Sequence, residues 1–219
     1  MRIAGLSLSA LVLLLAQVPA PDYTVRDNTL RRAAPGGYDV SVAKDLQYIG
    51  ARRFHIRNSA DAEQHLFVQS DQRGRVTRLV WIQIEAQLPG QSWRYNYPSP
   101  ERVKLGDLDF IADARAFREY VADDTLSDHG YMDRELRDHH LSLPGPVMRL
   151  RMIYLTDAER RRELMVIYAM PLPDSTSAGI SRDGVDAGKW PAELARLKML
   201  AARDVNVKGI RGRGPGRLP

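Results

Sequence analysis

The run Leu164-Met165-Val166-Ile167-Tyr168-Ala169-Met170 is apolar at every position, and its reading decides the fold. In a strand, successive side chains point to opposite sides. Leu164, Val166, Tyr168 and Met170 therefore face one layer, while Met165, Ile167 and Ala169 face another. A half-buried hairpin strand would alternate apolar with polar residues, so this one needs cover on both sides. Burying each of its larger side chains contributes roughly 1.5–3 kcal/mol, enough for the segment to anchor a sheet with something packed on each face.

Its partner by sequence is Val147 to Leu155, with Met148, Leu150, Met152 and Tyr154 on one side and Arg149, Arg151 and Ile153 on the other. The charged stretch Thr156 to Glu163 connects the two. Leu108 to Phe117 reads as a strand on the alternation of Leu108, Phe110, Ala112, Ala114 and Ala116 with Asp109, Asp113 and Arg115, although Phe110, Ala114, Phe117 and Val121 also form a helical stripe. In that order, Leu108-Asp109-Phe110-Ile111-Ala112-Asp113-Ala114, Leu143-Pro144 and Glu163-Leu164-Met165-Val166-Ile167-Tyr168 resemble segments of an uncharacterised family of bacterial exported proteins. The resemblance covers the C-terminal half and implies no activity.

Toward the N-terminus, strands are predicted at Tyr38 to Val42, Arg52 to Arg57 and Gln64 to Gln69, with the polar stretch Asn58 to Glu63 joining the last two. A turn at Ser70 to Gly74 leads into the longest strand, Arg75 to Gln87. There Val76, Leu79 or Val80, Ile82, Ile84 and Ala86 point inward, and Arg78, Gln83, Glu85 and Gln87 face water. Trp93, Tyr95 and Tyr97 share one side of a further short strand between Pro89-Gly90 and Pro98. Ser127 caps a helix from Asp128 to about His140, and Pro191 opens a second whose stripe Leu194, Leu197, Leu200 and Ala201 can roof the sheet. These elements predict an α+β fold: a mainly antiparallel β-sheet flanked by two or more helices, in a single domain over residues 38–207. Residues 21–37 read as a linker or N-terminal arm, and 208–219 as a disordered basic tail.

Met1-Arg2-Ile3-Ala4 precedes an apolar run from Leu6 to Val18 that ends at Val18-Pro19-Ala20. This is the pattern of a secretory signal peptide over residues 1–20, too short for a comfortable membrane span. Cleavage after Ala20 leaves no transmembrane segment and places the chain in the periplasm or outside the cell. The sequence contains no cysteine, which removes disulfides, thiolate metal sites and cysteine nucleophiles together. Of the 32 lysines and arginines, Arg2 lies in the signal run and Lys208, Arg211, Arg213 and Arg217 lie in the last twelve residues, leaving 27 against 27 aspartates and glutamates. The body is neutral, so the sequence pI near 9.6 does not argue for a specific nucleic-acid partner.

Three sets of residues are candidates for chemistry. Asp109 and Asp113, an even number apart on one strand, share a face and with His139 could serve a hydrolase as acid and base. Trp93, Tyr95 and Tyr97 could stack a ligand. His129 with Asp133, and Glu135 with His139, have the one-turn spacing of metal ligands, but His139 and His140 diverge around a helix and His-Glu-x-x-His is absent, so surface charge pairs are the preferred reading and no metal is expected. His55 and His65 lie on neighbouring strands of unknown register. No Gly-x-Ser-x-Gly elbow and no phosphate-cradling glycine loop occurs, and no cofactor is implied. Two function classes remain: an exported periplasmic binding or interaction module for an envelope protein or small apolar ligand, and a carboxylate- and histidine-dependent hydrolase of the cell envelope.

Overall fold

The apolar run lies in the middle strand of a seven-stranded antiparallel sheet, covered on both faces. The structure is a computed structural model that describes residues 20–32, 37–117, 126–172 and 189–209. In chain order the strands are β1 (Tyr23–Arg26), β2 (Thr29–Arg32), β3 (Tyr38–Val42), β4 (Gln47–Ile56), β5 (Ala60–Ser70), β6 (Val76–Gln87), β7 (Arg102–Leu105), β8 (Leu108–Phe117), β9 (Val147–Leu155), β10 (Arg162–Pro171) and β11 (Val205–Gly209). Helix α1 (Asp128–Asp138) precedes β9, and α2 (Trp190–Asp204) precedes β11. The large sheet runs β4-β5-β6-β10-β9-β8-β7, and a second runs β1-β2-β3-β11.

One face of β10 puts Leu164, Val166 and Tyr168 into a core shared with Leu30, Val40, Val42, Val205 and Val207 of the small sheet and with Leu197 and Ala201 of α2. The other puts Met165, Ile167 and Ala169 into a second core with Leu66, Trp81, Met132 and Leu136. Helix α1 roofs that side. It is capped by the Ser127 hydroxyl, which accepts from the Gly130 N–H at 3.1 Å, and it crosses the sheet from β9, where Arg149 reaches His129, to β4, where the Arg52 guanidinium forks onto Glu135.

The arrangement corrects the expected α+β architecture. Among the described residues it is a β-sandwich of two antiparallel sheets with only two short helices, and the principal roof over the Leu164 face is a sheet rather than a helix. The strands that make the difference are short: β1 and β2 fall in the segment read as an arm, and β11 runs from the end of the domain into the segment read as a tail. β1 and β2 form a hairpin whose turn places Asp27 and Asn28 at φ 48° and 54°, the left-handed pair of a type I′ turn. The backbone N–H groups of Asp22 and Tyr23 donate to Glu63 at 2.6 and 2.9 Å, tying this hairpin to β5. Lys208 and Gly209 belong to β11, while residues 210–219 lie outside the described ones. Four- and five-residue strands give too few positions for a period to register.

Trp93, Tyr95 and Tyr97 also depart from the expectation. They sit in an irregular segment, because prolines 89, 98 and 100 withhold donors that a ladder requires. Arg57 and Asn58 (φ 45° and 54°) make a second tight hairpin turn, so β5 begins at Ala60 rather than after Glu63. Gly106 (φ 60°) turns β7 into β8 where a Cβ would collide with the Val207 carbonyl, so the small sheet can press against this turn. A buried knot holds the helix α2 to β11 junction down: Asp204 accepts from the Tyr168 hydroxyl at 2.7 Å and from Arg78 at 2.5 Å.

Candidate functional site

On the α1 face of the large sheet, the ladder between β6 and β10 sets Glu85 directly opposite Glu163. Both are buried, 7% and 1% exposed, although the alternation of β6 had assigned Gln83 and Glu85 to water. What covers them is the irregular segment after β6. The Tyr95 hydroxyl donates to Glu85 at 2.9 Å and the Tyr97 hydroxyl to Glu163 at 2.7 Å, with the two rings stacked 6.3 Å apart. The Tyr95 N–H donates to the Arg160 carbonyl, and the Arg160 side chain reaches back to Asn96. Beneath this strap the polar chain continues: Trp81 Nε1 donates to Gln83 at 2.8 Å, and Gln83 donates to Glu85 at 2.5 Å.

Burial, followed by the charge of Glu85, pushes the Glu163 carboxyl up to about 8 against the pull of Tyr97 and Arg151. Burial likewise raises Glu85. Two carboxyls this close in a dry setting cannot both ionise readily, so the pair retains a proton near neutrality. Next to them, Arg151 lies 5.2 Å from the Tyr97 ring centroid and directs its fork onto Oδ2 of Asp113 at 3.0 and 2.5 Å. Asp128 accepts from His129 at 2.9 Å; burial opposes its ionisation, but the bonds and charge of His129 outweigh this and hold Asp128 below the usual range.

The residues singled out from sequence are dispersed. Asp109 is exposed and opposite Lys104, four residues along β8 from Asp113. His139 caps α1 and lies 3.5 Å from Glu135, which is held by Arg52 of β4. β4 and β8 are five strand intervals apart in the sheet, roughly 24 Å at the usual spacing, so Asp113 and His139 do not share a site. His55 is opposite Asp61, whereas the buried His65 bonds Glu63 at 2.7 Å and Tyr48 at 3.1 Å. Among the described residues no group of three potential ligands is placed to hold a metal ion. Of the aromatic trio, Tyr95 and Tyr97 serve the internal network, and only Trp93 is substantially exposed, at 37%.

Asp113 is the candidate that reaches an opening. An open pocket of about 100 Å³ is lined by Ser99, Glu101, Asp113, Ala114, Trp190 and Leu194. Asp113 gives Oδ2 to Arg151, and its Oδ1 is buried with no hydrogen-bond partner. Glu101 pairs with Lys198 of α2. The pocket joins an indole and an isobutyl group to two carboxylates that are each paired within the protein, Glu101 with Lys198 and Asp113 with Arg151. Sequence reading missed both this pocket and the glutamate pair, because each depends on elements far apart in the chain. The only local signal was a glutamate abutting a fully apolar strand.

Comparison with protein-family models, with curated proteins and with solved structures finds no match to the chain.

Proposed function

We propose that the protein is an exported, non-catalytic interaction module of the cell envelope, and that its binding site is the pocket beside β8. The observation that carries this reading is the lining of that pocket: Trp190 and Leu194 on one side, Glu101 and Asp113 on the other, at the end of a large sheet. At about 100 Å³ it holds a side chain rather than a whole cofactor-sized molecule. Docking of a larger partner through one inserted group fits that size. Export rests on the N-terminal apolar run, and no helix among the described residues is long and apolar enough to cross a membrane.

The test is photo-cross-linking in intact cells from a photoreactive residue placed at Leu194, with His55 on the opposite sheet edge as control. One partner, identified by peptide sequencing and captured from position 194 only, supports the reading. No capture from 194, or the same pattern from both positions, overturns it.

A second reading, an envelope hydrolase, is favoured by one feature: the buried cross-strand pair Glu85 and Glu163, in which burial and the neighbouring charge push Glu163 up to about 8, the range of a general acid. Glu163 then replaces Asp109, Asp113 and His139 as the group to test. Hydrolysis of isolated cell-wall glycan or peptide that disappears in Glu163→Gln, with folding intact, would favour it. Equal turnover by both proteins would end it.

A further inference from the structure

We propose that the floor beneath residues 91–97 is a saccharide-binding site, reached when that segment lifts off the large sheet. The inference names a ligand class for the Glu163 site and rests on the hydrolase reading only for the choice of that site. Residues 88–101 carry no regular structure and cross the α1 face of the sheet from β6 to β8. Tyr95 stands on Glu85 of β6 and Tyr97 on Glu163 of β10, the Arg151 guanidinium of β9 lies by the Tyr97 ring, and the Ser99 hydroxyl donates to the Ala112 carbonyl of β8 at 2.5 Å.

The segment is lightly fastened. Among the described residues, one main-chain bond joins residues 92–98 to the sheet, from the Tyr95 N–H to the Arg160 carbonyl at 3.1 Å. The other ties run through side chains: the two tyrosine hydroxyls, Gln87 donating to the Trp93 carbonyl, and Arg160 donating to Asn96. At its leading end Gly90 takes φ 86° and has no heavy atom within 4 Å of the place a Cβ would fill, so the chain has room to swing there.

What the segment covers is polar and incompletely bonded. Among the described residues, four buried side-chain atoms have no hydrogen-bond partner, and all four flank this floor. Gln87 Oε1 lies two residues beyond Glu85 on the same face of β6, and Arg160 Nε belongs to the residue whose carbonyl holds Tyr95. Asp113 Oδ1 is on the residue opposite Arg151 in the ladder, and Arg149, only 7% exposed, is two residues from Arg151 on the same face of β9. Two of these atoms accept and two donate. A hydroxyl does both, whereas an ammonium only donates and a phosphate only accepts, so a ligand rich in hydroxyls matches the set. The Tyr95 and Tyr97 hydroxyls, 2.9 and 2.7 Å from the carboxyls, mark where ligand hydroxyls would donate. Their displaced rings would offer apolar faces to sugar rings.

The experiment titrates the full-length processed protein with chitotetraose, with maltotetraose and with spermidine. Binding is followed by calorimetry and amide exchange by NMR. The expected result is saturable binding of at least one tetrasaccharide and none of spermidine. At saturation the Tyr95 amide should exchange at least tenfold faster, because its bond to Arg160 is broken, while the Val166 amide at the centre of β10 does not speed up. Gln87→Met should weaken binding at least tenfold with an unchanged melting temperature; Arg160→Met should do the same and stands in if the first variant fails to fold. Leu194→Lys, in the Trp190 pocket, should leave the affinity as it was. Silence of both tetrasaccharides, tighter binding of spermidine, or a bound saccharide that leaves Tyr95 exchange unchanged overturns the inference. A bound tetrasaccharide that is never cleaved, with wall glycan equally resistant, defeats the hydrolase reading alone. Glu163-dependent cleavage of wall glycan with both tetrasaccharides silent defeats this inference alone.

Discussion

Glu85 of β6 and Glu163 of β10 face one another across the ladder, and each accepts a hydrogen bond from a tyrosine of the same irregular segment. Two ionised carboxylates there would be costly, so burial and their mutual repulsion favour protonation, while the tyrosine hydroxyls favour the charged form. Tyr95 and Tyr97 act as a clasp over the two carboxyls.

This gives a pH dependence with a definite sign. Glu163 titrates near 8 when folded, and Glu85 is raised in the same direction, whereas an unfolded glutamate titrates near ~4.3. The stabilisation is therefore fully present below about pH 4.3 and is lost as pH rises through about 8. Asp128 and Asp204 are shifted down, so their contributions are lost only in more acidic solution and do not mask this window. The melting temperature at pH 5 should exceed that at pH 8.5 by at least about 3 °C, what about 1 kcal/mol produces in a domain of this size. Glu163→Gln should flatten the slope. A melting temperature that climbs over this interval would contradict the assignment.

Tyr97→Phe removes the hydroxyl that satisfies Glu163 and leaves a buried carboxyl oxygen without its donor. The expected cost is about 1–3 kcal/mol in urea unfolding with an unchanged m value. Trp93→Ala, on the same segment but partly exposed, should cost under about 1 kcal/mol. Equal losses from the two changes would show that the segment is held by general packing and not by the carboxyl clasp.

Ile167→Asp puts a charge into the second core, where Ile167 is 1% exposed and opposite Trp81 and Arg151 on its two neighbouring strands. Arg151 is already committed to Asp113, so burying the new charge costs several kcal/mol against a total of about 5–15, and loss of cooperative folding is expected by circular dichroism. An unchanged melting temperature would refute the placement of β10 at the centre of the sheet.

The legible part of the fold is that in which local pattern and tertiary role agree. β8 and β9 fall on the residues read from alternation, β10 extends the apolar run by only a few residues, and the Ser127 cap starts α1 as expected. β1, β2 and β11 escaped because a strand such as Thr29–Arg32 offers one buried residue, Leu30, and no period. The site was less legible for a different reason. Polar residues on an alternating strand were assigned to solvent, a rule that fails at Gln83 and Glu85 because an irregular segment only ten or so residues further along the chain folds back over them. Asp113 was singled out as a catalytic partner of Asp109, but its neighbours, Arg151, Trp190 and Leu194, come from parts of the chain whose proximity no spacing reveals.

The charge balance makes a further prediction. Ending the chain after Gly209 removes Arg211, Arg213 and Arg217 and no acidic residue. On a polyanion column the truncated protein should elute at clearly lower salt than the full chain, with an unchanged melting temperature, because a body of nearly balanced charge releases few counterions. Retention at the same salt would reveal a basic face on the folded body.

The most direct test of the docking account is the affinity of the partner recovered by cross-linking from position 194 for protein carrying Leu194→Lys, which changes the lining of the Trp190 pocket. Docking there predicts at least tenfold weaker binding with an unchanged melting temperature. Equal affinity of the altered and unaltered proteins would contradict it.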